Sequence, residues 1–145
     1  MGEDLRDRAA GDLVSLMPLY HRHIFRPGGS VSGIQVARYR MLGLLMKKGP
    51  LSMSEIGRCL YVSKPSMTAL ADSLIDDGLV ERRRDPADRR VINIAITPKG
   101  KKYVTQFFAS FKSSVKTLLA DLDDKDVNDL CRSLAELRRI LEKIP

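Results

Sequence analysis

Five of the nine residues from Arg82 to Arg90 are arginines: Arg82, Arg83, Arg84, Arg89 and Arg90. Between them lies Asp85-Pro86-Ala87-Asp88, which has the composition of a tight polar turn. Guanidinium groups displayed on a turn bind phosphate oxygens, and they enter a narrow minor groove, where the negative potential of DNA is enhanced. Asp88 beside Arg89 and Arg90 runs against simple charge attraction. A carboxylate there can instead fix the direction of a neighbouring guanidinium through a two-pronged hydrogen bond. The competing reading is a charged turn that keeps a sheet edge soluble.

A second group lies just upstream. Met67, Leu70, Ala71 and Leu74 fall at i, i+3, i+4 and i+7, the stripe of a helix over residues 63–77 that turns one face to a core. Ser63 is then a candidate cap, with Pro65 in the first turn. Lys64, Pro65, Ser66, Thr68, Ala69 and Asp72 are left outward or on the flank. Lys64 suits a phosphate or guanine, Ser66 and Thr68 a phosphate or base edge, and Ala69 a thymine methyl. The alternative for each is an ordinary solvated helix face.

Other chemistries find little support. The chain has no nucleophile elbow, phosphate-binding loop or paired His–Glu metal motif, so neither an enzyme nor a cofactor is expected. His21 and His23 are spaced i, i+2 and point apart on a helix, which argues against a metal site. Cys59 and Cys131 fit no metal spacing and read as small core or boundary residues in a reduced, cytoplasmic compartment. The longest apolar run, residues 41–46, is too short to cross a membrane.

Composition points the same way. A chain of 145 residues, 43% hydrophobic, suits one compact domain or a small domain plus an oligomerisation element. The net charge of +7 calls for an acidic partner, either nucleic acid or an anionic membrane face. The charge is localised: residues 81–102 hold eight basic and three acidic side chains, whereas residues 121–145 hold five basic and seven acidic ones.

The elements that must position these groups follow from periodicity and punctuation. Apolar residues at helical spacing predict a helix over residues 4–26, kinked or broken at Pro18 and closed by Pro27-Gly28-Gly29-Ser30. A second helix starts at Ser32 or Ile34 and ends at Lys48, before Gly49-Pro50. Ser52 and Glu55 form a capping box for a short third helix, residues 52–60. After the helix over 63–77, stopped by Gly78, the period changes. Ile92, Ile94 and Ile96 alternate with Val91, Asn93 and Ala95, as in a half-buried strand, and two strands around the Asp85–Asp88 turn make a hairpin. Thr97-Pro98 opens a long helix. Asp123 or Asp124 starts the last one, where Val127, Leu130, Leu134, Leu137, Leu141 and Ile144 form a coiled-coil-like seam. Such a seam calls for a partner chain, unless the two terminal helices cover each other.

Helix, helix, short capped helix, second helix and hairpin is the order of a winged helix-turn-helix. The expected fold is mainly α with a small antiparallel β-hairpin as wing. Residues 31–97 form the DNA-binding domain, and residues 1–30 with 98–145 form a helical dimerisation region. Gly78-Leu79-Val80-Glu81-Arg82, then Asp85-Pro86-Ala87-Asp88-Arg89-Arg90, then Ile96-Thr97-Pro98-Lys99-Gly100 resembles the signature of the MarR family of transcription regulators. Pro50 to Gly57 and Ser66-Met67-Thr68 are also similar, and the likeness runs over essentially the whole chain.

That resemblance implies a homodimer held by its N- and C-terminal helices. It implies near-palindromic double-stranded operators, with recognition helices in successive major grooves and wings in the flanking minor grooves. It implies that Asp88 orients a wing arginine and that Arg89 or Arg90 reaches the minor groove. By their charge alone, Arg82 to Arg84 are expected to supply positive field to the wing, with Arg82 and Arg84 counted among its DNA-binding residues. Many members release DNA on binding a small phenolic or anionic effector; no effector residue is assigned in this chain. Two positions depart from the family pattern: Ala69, where relatives often carry Arg, and Arg38, where many carry Gln. Arg38 and Arg40 then line an anion site or snorkel at the surface, the surface being favoured. The rival to a DNA-binding regulator is a winged helix used for protein contact alone.

Overall fold

The computed structural model describes residues 4–24 and 32–145. The chain divides into two compact units, Pro27–Phe111, and Met1–Arg26 with Lys112–Pro145.

In the first unit, helix α2 (Gly33–Lys48) begins at Ser32, whose hydroxyl accepts from the Gln35 amide at 3.2 Å while the Gln35 side chain accepts from the Ser32 amide at 2.8 Å. Two first-turn donors are thereby satisfied. Gly49, at φ 82°, ends the helix in a region of backbone space that favours glycine. The same device opens helix α3 (Met53–Leu60): the Glu55 amide donates to the Ser52 hydroxyl at 3.3 Å, and the Ser52 amide to the Glu55 carboxylate at 2.8 Å. Those bonds hold the Glu55 pKa below its ordinary value, the Ser52 amide contributing most.

Helix α4 (Lys64–Asp76) follows a tight connection in which Tyr61 takes a left-handed conformation, φ 54°. Gly78, at φ 70°, then turns the chain into strand β2 (Val80–Arg84). The sheet has three strands, not the expected pair. Leu51–Ser52 forms a short strand β1 on one side of β3 (Ile92–Ile96), and β2 lies on the other, all antiparallel. Two residues are too few to show a period, so β1 was not legible from pattern.

The third strand also changes the burial of β3. Strict alternation was expected, yet Ile92 is 45% exposed while Asn93, Ile94 and Ala95 are all buried. Burial of three consecutive residues, which alternate in direction, means that both faces of β3 are covered at its middle. The core joins Met41, Leu42 and Leu45 of α2, Ile56 and Leu60 of α3, Met67, Ala71 and Leu74 of α4, and Leu79, Val80, Ile94 and Val104. The stripe read from α4 is therefore the one that packs, with Leu70 half-buried at its edge.

Helix α5 (Pro98–Leu118) starts against the wing's base. The Thr97 hydroxyl accepts from the Gly100 amide at 3.0 Å and donates to the Gly78 carbonyl at 2.7 Å. A Cβ at position 100 would lie 2.1 Å from the Leu79 carbonyl oxygen, so this close approach requires glycine.

In the other unit, helix α1 (Leu5–Ile24) runs unbroken through Pro18. The single donor that proline lacks is outweighed by the turns on either side. The expected Pro27–Ser30 closure lies outside the described residues. A 3-10 turn (Leu119–Asp121) leads to helix α6 (Asp124–Leu141), capped by Asp123, whose carboxylate accepts from the Asp126 amide at 2.7 Å. Neither α1 nor α6 has a buried residue. On α6, Leu134 is 51% and Leu141 41% exposed, and Ile144 lies beyond the helix end. No helix among the described residues is long and apolar enough to cross a membrane.

Candidate nucleic-acid interface

The α3–α4 connection sets the presentation of α4. The Tyr61 amide donates to the Gly57 carbonyl, and the Val62 amide donates to the same oxygen at 3.3 Å, so the chain reverses within three residues. Ser63 occupies the N-cap position, but it makes no cap bond; its hydroxyl donates to the Ser66 hydroxyl at 3.0 Å. With Pro65 in the first turn and no side-chain cap, the leading amides of α4 remain available to an external acceptor.

Ser63, Lys64, Pro65, Ser66, Thr68, Ala69 and Asp72 are all exposed, as the buried stripe requires. They are not equally free. The Thr68 hydroxyl donates to the Lys64 carbonyl at 3.1 Å, and the Asp72 carboxylate accepts from the Arg82 guanidinium at 2.9 Å. A cleft of about 610 Å3 between α3 and α4 is lined by Lys64, Thr68, Met53, Met67 and Arg58. Arg58, exposed on α3, adds a positive charge that sequence reasoning passed over. Its position on the polar side of the capped helix was the available signal.

Strand register sorts the wing arginines. Arg82 pairs with Ile94 and Arg84 with Ile92, so these two arginines share a face of the sheet. Arg83 pairs with Asn93 and points to the opposite face. A recess of about 350 Å3 lined by Thr68, Asp72, Arg82 and Ile92 puts the outward side of α4 and the Arg82 face of the wing together. Arg83 is held instead by Glu81, its Nε donating to the carboxylate at 2.6 Å. Among the described residues, Arg84, Arg89 and Arg90 are exposed and make no ion pair.

The turn itself differs from expectation. Asp88 does not grip a guanidinium; its carboxylate accepts from the Arg90 backbone amide at 3.0 Å. Backbone donors next in sequence reach a short carboxylate more readily than a long arginine tip does. Asp85 makes more bonds than any other turn residue. One of its oxygens accepts from the Ala87 amide at 2.8 Å and the Asp88 amide at 3.1 Å, and the other accepts from the Asn93 side chain at 2.9 Å. The Asp88 amide, then the Ala87 amide, then Asn93 hold the Asp85 carboxyl below the usual aspartate pKa.

Arg38 is not a surface residue. Its side chain is 15% exposed, donates to the Ser73 hydroxyl at 2.9 Å, pairs with Asp77 and lies 5.8 Å from the centre of the Tyr103 ring. It ties α2 to the C-terminal end of α4. Arg40 is exposed and donates to the Leu60 carbonyl at 3.4 Å. Cys59 and Cys131 are exposed free thiols rather than core residues, since each lies at the flank of its helix's apolar stripe and is not covered. Among the described residues no three His, Cys, Asp or Glu side chains gather as for a metal ion.

An exposed recognition-type helix beside an arginine-bearing hairpin is the geometry of a winged helix-turn-helix. Residues 32–91, which span α2 to the far side of the wing turn, match the MarR family. Over that segment the chain is similar to the MarR family. It is 27% identical over 135 residues to the HTH-type transcriptional repressor YetL of Bacillus subtilis, with 88% of this chain and 81% of YetL covered. Its fold is similar to that of a MarR family protein from Bacillus stearothermophilus, with a TM-score of 0.68 at 20% identity, covering 94% of this chain and 98% of the other. It is also similar to the transcriptional regulator BldR from Sulfolobus solfataricus, with a TM-score of 0.69 at 26% identity, covering 98% and 100%. These similarities make the chain a DNA-binding transcription regulator, and its relatives are named as regulators rather than enzymes.

Proposed function

We propose that the chain acts in the cytoplasm as a homodimeric repressor of transcription on a near-palindromic operator, and that a small phenolic or anionic effector modulates it. The observation that carries the DNA-reading part is the shared face of α4 and the wing: Lys64, Pro65, Ser66, Thr68 and Ala69 are exposed beside a sheet face that carries Arg82 and Arg84. In this reading the α4 face enters a major groove, and Arg89 and Arg90 enter the flanking minor groove. Asp72 sets Arg82 rather than touching bases.

Homodimerisation is supported by apolar surface that one chain leaves open. Leu134 and Leu141 of α6 are exposed, as are Val14 at 67% and Met17 at 62% on α1. Large apolar side chains left open in this way suit an interface. Repression is the activity named for YetL. Effector control is supported by BpsR of Bordetella bronchiseptica, a protein of similar fold whose DNA binding is regulated by 6-hydroxynicotinic acid. An effector acts here only if it binds one arrangement of the dimer better than the other.

The test is selection of bound sequences from random duplex DNA, repeated with small aromatic acids. Enrichment of an inverted repeat, weakened by one of those acids, is the expected result. Recovery of no inverted repeat contradicts a dimeric operator binder and favours a winged helix used for protein contact.

A further inference from the structure

We propose that Asp85 and Asn93 form a positioning pair for the wing, whose bonded frame aims Arg89 and Arg90 at DNA. The inference rests on the DNA-reading wing proposed above and adds the residues that build its tip.

Three observations converge on this pair. Asn93 is the one buried polar residue among the described residues, at 8% exposure, and a buried amide needs a partner. Its partner is the Asp85 carboxylate at 2.9 Å, across the hairpin. The same carboxylate takes the Ala87 and Asp88 amides, and the Asp85 amide donates to the Val91 carbonyl at 2.9 Å. Asp88, so fixed, accepts from the Arg90 amide through its side chain and from the Val91 amide through its carbonyl at 3.0 Å.

The backbone on both sides of Arg89 is therefore set by bonds that trace back to Asp85. The arginine side chains themselves stay unpaired. That combination suits a reading element: a fixed base reduces the ordering cost on binding, while free guanidinium groups remain for the ligand. The lowered pKa of Asp85 agrees with a carboxylate used as an acceptor.

Charge alone predicts the opposite behaviour, which makes the pair testable. Asp85→Asn removes a negative charge from a DNA-facing turn, yet it sets an amide donor against the Asn93 amide. Exchanging the two residues, Asp85→Asn with Asn93→Asp, restores donor to acceptor and the original net charge. Binding of a selected duplex is measured for the full-length protein, the single variant and the exchange, with thermal unfolding as the check on folding. Asp85→Asn is expected to weaken binding about tenfold, the scale of one charge-assisted hydrogen bond, and the exchange to recover to within about threefold. In an Arg89→Ala, Arg90→Ala background, Asp85→Asn should add less than about twofold, because it acts through those arginines.

Unchanged or tighter binding by Asp85→Asn overturns the inference, as does a loss that persists in full without the arginines or that the exchange fails to recover. If the unaltered protein binds no duplex at all, the DNA-reading wing falls and this inference falls with it. That outcome is distinct from a binding wild type with indifferent Asp85 variants.

Discussion

The Arg82 guanidinium of the wing donates to the Asp72 carboxylate of α4 at 2.9 Å, joining that helix to the hairpin. Both side chains are more than half exposed, at 61% and 51%, so the pair contributes little to stability. Its consequence is geometric. One acidic residue on the candidate reading face occupies an arginine that would otherwise be free for phosphate.

Asp72→Ala should therefore change global stability by less than about 1 kcal/mol. It should also strengthen binding to non-specific duplex and steepen the log–log salt dependence by about one phosphate contact per protomer, as Arg82 is released. Denaturant unfolding and a salt titration read the two effects. A large loss of stability would show that the pair holds the wing in place.

Gly100 lies where α5 meets the wing's base. A methyl group there meets the Leu79 carbonyl at 2.1 Å and Ile96 Cγ1 at 2.7 Å, and a backbone atom cannot step aside as a flexible side chain can. Gly100→Ala should cost about 2–3 kcal/mol of unfolding free energy. Equilibrium urea unfolding checks this, and a neutral result would mean that α5 does not need this close approach.

The wing tip has a pH dependence with a definite sign. The Asp85 pKa is lowered in the folded chain by the Asp88 and Ala87 amides and Asn93. A carboxylate with a depressed native pKa contributes its full stabilisation above the unfolded-state value and loses it as pH falls through the native value. The tip should therefore persist through the ordinary aspartate range near about pH 4 and loosen only below it. The Ala87 and Asp88 amide resonances, followed by NMR against pH, report this directly. A midpoint at or above the ordinary value would contradict the bonded frame.

The open apolar seam of α6 predicts a change in assembly. Leu134→Arg with Leu141→Arg places charge in the middle of it. If the chain forms the proposed homodimer, the unaltered protein should sediment as a dimer and the double variant as a monomer at the same concentration, with loss of operator binding while its DNA-binding unit keeps its fold. A variant that remains dimeric locates the interface elsewhere.

Local signals with a period or a cap were legible in the sequence. Ser52 with Glu55 specified the start of α3, and Met67, Ala71 and Leu74 specified the buried side of α4. What escaped reading depended on long-range pairing. β1 is two residues long, and only its pairing with β3 reveals it. Once β3 is central, its alternation gives way to a buried Asn93. Arg38 looked like a surface residue because its partners, Ser73, Asp77 and Tyr103, lie far along the chain. Asp85 looked like a turn former, and its bond to Asn93 shows only when the strands close. The family resemblance makes Asp88 an orienter of a wing guanidinium, whereas the nearer backbone amide of Arg90 takes its carboxylate.

The central claim is that the wing arginines read DNA. The most direct test is the salt dependence of binding to a selected inverted repeat by the unaltered protein and by the Arg89→Ala, Arg90→Ala variant. About eight phosphate contacts per dimer predict a log–log slope of roughly −7 for the unaltered protein, and the variant should bind more weakly with a slope shallower by at least about 2. Equal affinity and equal slope for the two proteins would contradict the account.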